Sequence, residues 1–125
     1  MPAQACYPIP ADVSMEVAAL IGCCVTTGVG AVINAPGMKA GATIAVFGVG
    51  GVGLNAIQGA RIMNAARVIA VDLHDHKLEF SRRFGATDFV NADRDDPVAA
   101  IRAITGGGVD YAFDKIGRAS CRERV

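Results

Sequence analysis

The sequence predicts an α/β fold, a doubly wound parallel sheet of about four strands in the order 3-2-1-4. Three observations carry this. Short apolar runs rich in β-branched residues alternate with stretches of helical spacing between Thr43 and Phe113. Such alternation requires crossovers, which make neighbouring strands parallel. The first apolar run also enters its helix through a cluster of glycines, Gly48 to Gly53.

Pro2, Pro8 and Pro10 keep the first residues extended or turned. Ser14 can cap a short helix over Met15–Leu20, with Glu16 in its first turn. Gly22 is expected to interrupt it, and a second helix to run from about Cys24 to Asn34. The small residues of that helix suit close packing. Pro36-Gly37 and Ala40-Gly41 mark a loop. Thr43–Phe47 reads as a strand buried on both faces. Gly51–Met63 has helical spacing, with Val52, Ala56, Ile57, Ala60 and Met63 able to share one side. Val68–Val71 is the next buried strand and ends at Asp72. Asp75–Phe84 reads as a helix stopped by Gly85, and Asp88–Val90 as a short strand. Asp96-Pro97 is an N-cap followed by proline at the first helical position. Val98, Ile101 and Ile104 line one face of the helix that follows. Gly106-Gly107-Gly108 is a turn, and Val109–Phe113 is the fourth strand.

Composition narrows the class of partner. The hydrophobic share of 52% is ample for one core in 125 residues. Twelve basic and twelve acidic residues cancel, so there is no electrostatic footprint for nucleic acid or an anionic membrane. Cys6, Cys23, Cys24 and Cys121 form no disulfide framework, which suits a reducing, cytoplasmic setting. The amino terminus lacks the basic and apolar regions of a signal peptide. Val17–Ala35 and Ala42–Leu54 are mostly apolar. Glycines break both, so neither presents the roughly 20 strongly apolar residues of a bilayer span. Both are expected to be buried elements, with no membrane partner.

The glycine cluster is Gly48-Val49-Gly50-Gly51-Val52-Gly53, following a strand and opening a helix. That context makes a G-x-G-x-x-G pattern a phosphate turn of the Rossmann type. Gly48 permits the tight turn, Gly50 lets backbone approach a pyrophosphate, and Gly53 lets the helix pack closely. The helix start offers free N–H groups and partial positive charge. Asp72 lies 19 residues after Gly53, at the end of the next strand. A carboxylate there accepts from both adenosine ribose hydroxyls and repels a 2′-phosphate, so NAD is favoured over NADP. Lys77 could reach the same ribose, or be an ordinary exposed helix lysine. His74 and His76 suggest a solvated loop, since no carboxylate or cysteine cluster completes a metal site. A methyltransferase using S-adenosylmethionine also pairs a glycine turn with an acid after strand two, and stays the alternative.

Beyond these motifs lies a family resemblance. Leu20-Ile-Gly-Cys-Cys-Val-Thr-Thr-Gly-Val-Gly-Ala-Val-Ile-Asn34 resembles the segment before the cofactor fold of zinc-dependent, medium-chain alcohol dehydrogenases. The likeness continues through Val46–Gly53, Gln58–Arg61, Ile69–Asp72, Lys77–Glu79, Phe84–Asp88 and Gly107–Phe113. It covers nearly all of residues 13–114. The nearest branch looks like the glutathione-dependent formaldehyde dehydrogenases and related primary-alcohol enzymes. The resemblance implies hydride transfer between an alcohol and NAD, giving an aldehyde or ketone, with a zinc ion as Lewis acid. It implies that Cys23 is a ligand of that zinc and that Thr27 packs beside the nicotinamide as a catalytic residue. It also implies a homo-oligomeric parent with a small alcohol or aldehyde as substrate. Cys24 departs from the family, which carries glycine there. A zinc-free quinone-reductase relative would lack the zinc cysteine and usually prefer NADPH, so Cys23 and Asp72 speak against it. A non-catalytic nucleotide-binding module is a further alternative.

One cysteine cannot hold a catalytic zinc alone. The chain is therefore expected to be the cofactor-binding part of such an enzyme, inactive by itself. On this reading residues 1–35 form a linker and a helix that joins a catalytic domain. Residues 36–115 form the first half of the NAD-binding domain. Residues 116–125, Ile-Gly-Arg-Ala-Ser-Cys-Arg-Glu-Arg-Val, resemble the translation of a sequencing-library adapter and are expected to be non-native.

Overall fold

A computed structural model describes residues 2–116, so the expected adapter-derived tail lies outside the described residues apart from Ile116. Four strands, β1 (Thr43–Phe47), β2 (Arg67–Asp72), β3 (Asp88–Asn91) and β4 (Tyr111–Asp114), form one sheet in the order β3-β2-β1-β4. Every neighbouring pair is parallel. The expected topology is therefore the observed one. The helices that follow β1, β2 and β3 are α3 (Gly51–Ile62), α4 (Asp75–Ser81) and α5 (Pro97–Thr105), while α1 (Met15–Leu20) and α2 (Thr26–Ile33) precede the sheet.

The two-residue period of β1 and β2 sorts their side chains onto opposite faces. Ile44, Val46, Val68 and Ala70 pack with Val32 of α2, Ala56, Ile57 and Ala60 of α3 and Leu78 of α4. Ala45, Ile69 and Val71 face the other way and pack with Val90 and Ile101 of α5. Two cores on one sheet are what a doubly wound fold requires, and they explain why β1 and β2 read as continuous apolar runs. α4 continues as a 3-10 turn over Arg82–Phe84 and stops at Gly85, whose φ is 112°. In α5, Asp96 caps the Val98 N–H at 3.0 Å, and Ile101 is buried while Val98 stays exposed.

Two expectations fail before the sheet. Gly22 does not interrupt the first helix. α1 runs into α2 through a π segment over Ile21–Val25, without a break. There the Cys24 thiol donates to the Leu20 carbonyl at 3.3 Å, and the Thr26 hydroxyl to the Cys23 carbonyl at 3.2 Å. These side chains occupy carbonyls in the stretch where the backbone ladder widens. A glycine costs a helix only about 1 kcal/mol, which packing elsewhere along the helix can offset. Nor is Val17–Ala35 a buried element. Gly28 and Val32 are its buried helical residues, while Val17, Leu20, Ile21 and Ile33 are exposed. By length and composition the 19-residue helix Met15–Ile33 could cross a membrane.

The contact that fixes this helix is the crossing of α2 and α3. A Cβ on Gly28 would stand 2.6 Å from the Asn55 Cβ and overlap the Val52 carbonyl. A Cβ on Gly59 would stand 3.1 Å from the Val29 Cα. The small residues expected to allow close packing do so, by letting the two backbones nearly touch.

Candidate functional site

The candidate site lies at the carboxyl ends of β1 and β2, where parallel strands of this fold leave ligands room. Phe47 pairs with Val71, so the next residues, Gly48 and Asp72, emerge side by side. Gly48 takes φ 89°, in the left-handed region that a side chain disfavours. A Cβ there would also press within 2.9 Å of the Lys115–Ile116 backbone. The Gly48 N–H donates to the Val71 carbonyl at 2.8 Å, which locks the start of the turn to β2.

The next three glycines differ in what surrounds them. A Cβ on Gly53 would stand 3.0 Å from the Gly48 carbonyl carbon, with the oxygen closer still, and 3.6 Å from Val46 Cγ1. The close approach at Gly53 is thus chiefly to the turn itself, and only secondarily to the strand as expected. Gly51 faces Cys24, its would-be Cβ 3.6 Å from the cysteine Cβ. Gly50 meets nothing within 4 Å, so its missing side chain leaves open space above the turn. The first α3 hydrogen bond runs from the Leu54 N–H to the Gly50 carbonyl at 2.8 Å. The N–H groups of Gly50, Gly51, Val52 and Gly53 therefore have no acceptor among the described residues. Four such donors at a helix start form a cradle for an anion.

Asp72 closes the cradle on one side. Its Oδ2 accepts from the Val49 N–H at 2.8 Å, and its Oδ1 from the His74 N–H at 3.1 Å. Lys77 Nζ stands 3.8 Å from Oδ1, joining the two residues that the sequence singled out. Burial pushes the carboxyl's pKa up most strongly of any single influence. Hydrogen bonds from Val49 and His74, the Lys77 charge and a further bond from Leu73 together outweigh it and hold the pKa below its usual value. The group is ionised at neutral pH. His74 and His76 stack on each other at 5.6 Å.

Cys23 and Thr27 sit four residues apart on the continuous helix, and both are exposed. Among the described residues no three His, Cys, Asp or Glu side chains gather as a metal site, so these residues alone do not make a zinc centre. Cys24 points instead toward the turn. Asn55 Nδ2 donates to the Gly51 carbonyl at 2.8 Å and stands 3.7 Å from Cys24 Sγ. Residue-by-residue reading missed Asn55 and the Lys115–Ile116 backbone. Asn55 carried a signal, an amide side chain one turn into a glycine-started helix. The crowding by Lys115 and Ile116 depends on β4 lying beside β1, and only the folded sheet shows it.

Comparison with known proteins agrees with this geometry. Residues 51–125, more than half of the chain, match the family model described as zinc-binding dehydrogenase. The chain is 43% identical over 122 residues to an S-(hydroxymethyl)glutathione dehydrogenase of Synechocystis, covering 89% of this chain and 33% of that protein. It is 42% identical over 112 residues to alcohol dehydrogenase-like 5 of Arabidopsis thaliana, covering 87% of this chain and 29% of the relative. Among solved structures it matches benzyl alcohol dehydrogenase from Acinetobacter calcoaceticus with a TM-score of 0.82 at 38% identity, over 91% of this chain and 32% of that one. The chain spans about a third of the length of these relatives. A glycine turn with an acid beside it, on a parallel sheet in this order, and a family model matched over most of that unit lead to one conclusion: the chain belongs to the zinc-binding dehydrogenase family.

Proposed function

We propose that this chain is the NAD-holding part of a zinc-dependent alcohol dehydrogenase, one that interconverts a small alcohol and its aldehyde or ketone. One observation carries the cofactor assignment. The free N–H groups of Gly50 to Gly53 open beside the ionised Asp72 carboxylate, one element matching a pyrophosphate and the other a ribose diol. Bound there, the nicotinamide would supply the hydride chemistry. The chain's own contribution is binding and orientation. The turn amides would hold the pyrophosphate, Asp72 the adenosine ribose and Lys77 the same ribose edge. Thr27 would pack beside the nicotinamide. A 2′-phosphate would meet the Asp72 charge, so the site should favour NAD over NADP.

Cys23 is proposed as one zinc ligand of the full-length protein. The described residues lack the other ligands, so the chain alone is expected to bind NAD without turning over alcohol. The exposed Val17, Leu20, Ile21 and Ile33 of the long helix are read as surface that the rest of that protein covers. The likeness to S-(hydroxymethyl)glutathione dehydrogenases favours S-(hydroxymethyl)glutathione or a related small alcohol as substrate. Cys6, Cys23 and Cys24 are free, which suits a cytoplasmic setting.

Calorimetric titration of the chain with NAD, NADP and S-adenosylmethionine tests the assignment. Saturable NAD binding at least tenfold tighter than either competitor is expected. Preference for S-adenosylmethionine would move the chain to the methyltransferase reading, and preference for NADP would remove Asp72 from its assigned role.

A further inference from the structure

We infer that Asp72 is a positioning residue as well as a ribose acceptor: its carboxylate ties the phosphate turn to the end of β2, so the acid that selects NAD also builds the pyrophosphate cradle. The inference rests on the dinucleotide reading above and deepens it.

The geometry is specific. Val49 is buried, at 3% exposure, and its N–H has one acceptor among the described residues, Asp72 Oδ2 at 2.8 Å. Gly48 before it is already bound to Val71 of β2. Two successive amides of the turn are thus held to the same strand end, one by a backbone carbonyl and one by a side chain. The residues that follow are Gly50 and Gly51, the first of the four free donors. Where those donors point is therefore set by the Val49 bond.

A carboxylate offers about four acceptor directions. Val49 and His74 donate to it directly, the adjacent Leu73 N–H adds a third, weaker bond, and Lys77 stands 3.8 Å away. A ribose hydroxyl must therefore share the carboxylate with these donors or displace Lys77, whose contact is the longest measured. Uncharged replacements cannot reproduce this. Asparagine has one acceptor oxygen, so it can serve Val49 or His74 but not both, and its amide then faces an N–H donor. Serine is too short to reach both. A residue that only selected cofactors would behave differently: replacing it would exchange NAD binding for NADP binding.

The test uses the whole chain and two readouts. Amide hydrogen exchange without cofactor compares wild type, Asp72→Asn and Asp72→Ser. The Val49 amide should exchange at least tenfold faster in both variants, while Ala45 in the middle of β1 stays protected. Unchanged Val49 protection overturns the tether. Titration then compares NAD and NADP on the same proteins. Asp72→Ser should weaken NAD at least tenfold without gaining NADP. NADP binding by Asp72→Ser as tight as wild-type NAD binding overturns it also. Should the variants not fold, the wild-type Val49 amide proton decides by NMR. Its shift should move as the Asp72 carboxyl is protonated, and a shift that ignores this protonation refutes the bond. A wild-type chain that binds no dinucleotide refutes the proposed function, while the exchange data still decide the tether.

Discussion

Gly53→Ala should destabilise the fold by about 2 kcal/mol, whereas Gly50→Ala should leave stability intact and remove dinucleotide binding. The two positions lie three residues apart in one motif, so the contrast isolates surroundings from sequence. At Gly53 the new methyl would overlap the Gly48 carbonyl oxygen and stand 3.0 Å from its carbon, with Val46 Cγ1 at 3.6 Å also in contact. Ordinary carbon–carbon contact begins near 3.5 Å, so the methyl cannot retreat and the carbonyl must move. Gly48 resists, because its N–H is bonded to Val71 and the Lys115–Ile116 backbone already fills the place where its own Cβ would lie. A clash against fixed backbone belongs at the upper end of overpacking costs, about 3 kcal/mol. Alanine's better helix propensity returns about 1 kcal/mol. At Gly50 the methyl meets nothing within 4 Å, and φ −93° suits any residue. Stability should rise slightly there, by up to about 1 kcal/mol, through the unfolded chain. The assay is urea unfolding followed by far-ultraviolet circular dichroism, since the chain has no tryptophan. With an m-value of about 2 kcal/mol/M, the Gly53→Ala midpoint should fall by about 1 M. Equal midpoints for wild type and Gly53→Ala, or a matching fall in Gly50→Ala, would refute the reasoning.

Other outcomes follow from the same contacts. Gly28→Ala places a methyl 2.6 Å from the Asn55 Cβ and against the Val52 carbonyl, so it should cost about 2 kcal/mol despite its helical position, read by the same urea midpoint. Asp72 has a folded pKa lowered from 3.8. The stability it contributes is full above that value and is lost as pH falls through the lower folded value. Wild type should therefore lose more stability than Asp72→Asn when its urea midpoint is compared at about pH 6 and about pH 3. Asp96→Ala removes the α5 cap on the Val98 N–H and should cost about 1 kcal/mol by thermal unfolding. Glu79→Ala breaks an exposed pair with Arg82 at 3.3 Å while leaving Arg82 over the Phe89 ring, and should change stability by less than about 0.5 kcal/mol in the same urea assay.

Much of the fold was legible because local signals agreed. Pro97 after Asp96, Gly85 after Phe84 and the β-branched runs each specify one conformation over a few residues. Where local signals conflicted, tertiary contacts decided. Gly22 argued for a broken helix, yet the helix continues through a π segment in which Cys24 and Thr26 bond to backbone carbonyls. The expectation that Val17–Ala35 is buried followed from its hydropathy. Hydropathy reports what a side chain prefers and not what lies beside it, and Val17, Leu20, Ile21 and Ile33 are exposed here.

The site divides in the same way. The spacing of Gly48, Gly50 and Gly53, and of Asp72 after them, was enough to expect a phosphate turn with a ribose acid, because these residues lie on consecutive elements whose geometry is local. Spacing could not show that Asp72 Oδ2 accepts from Val49, that Lys115 and Ile116 press on Gly48, or that Gly28 must be small for Asn55 and Val52. Each of these joins residues at least 23 positions apart. Such contacts exist only once β1 lies between β2 and β4 and α2 crosses α3, so the sequence determined the elements and their chemistry while the assembled sheet decided what each glycine and carboxylate touches.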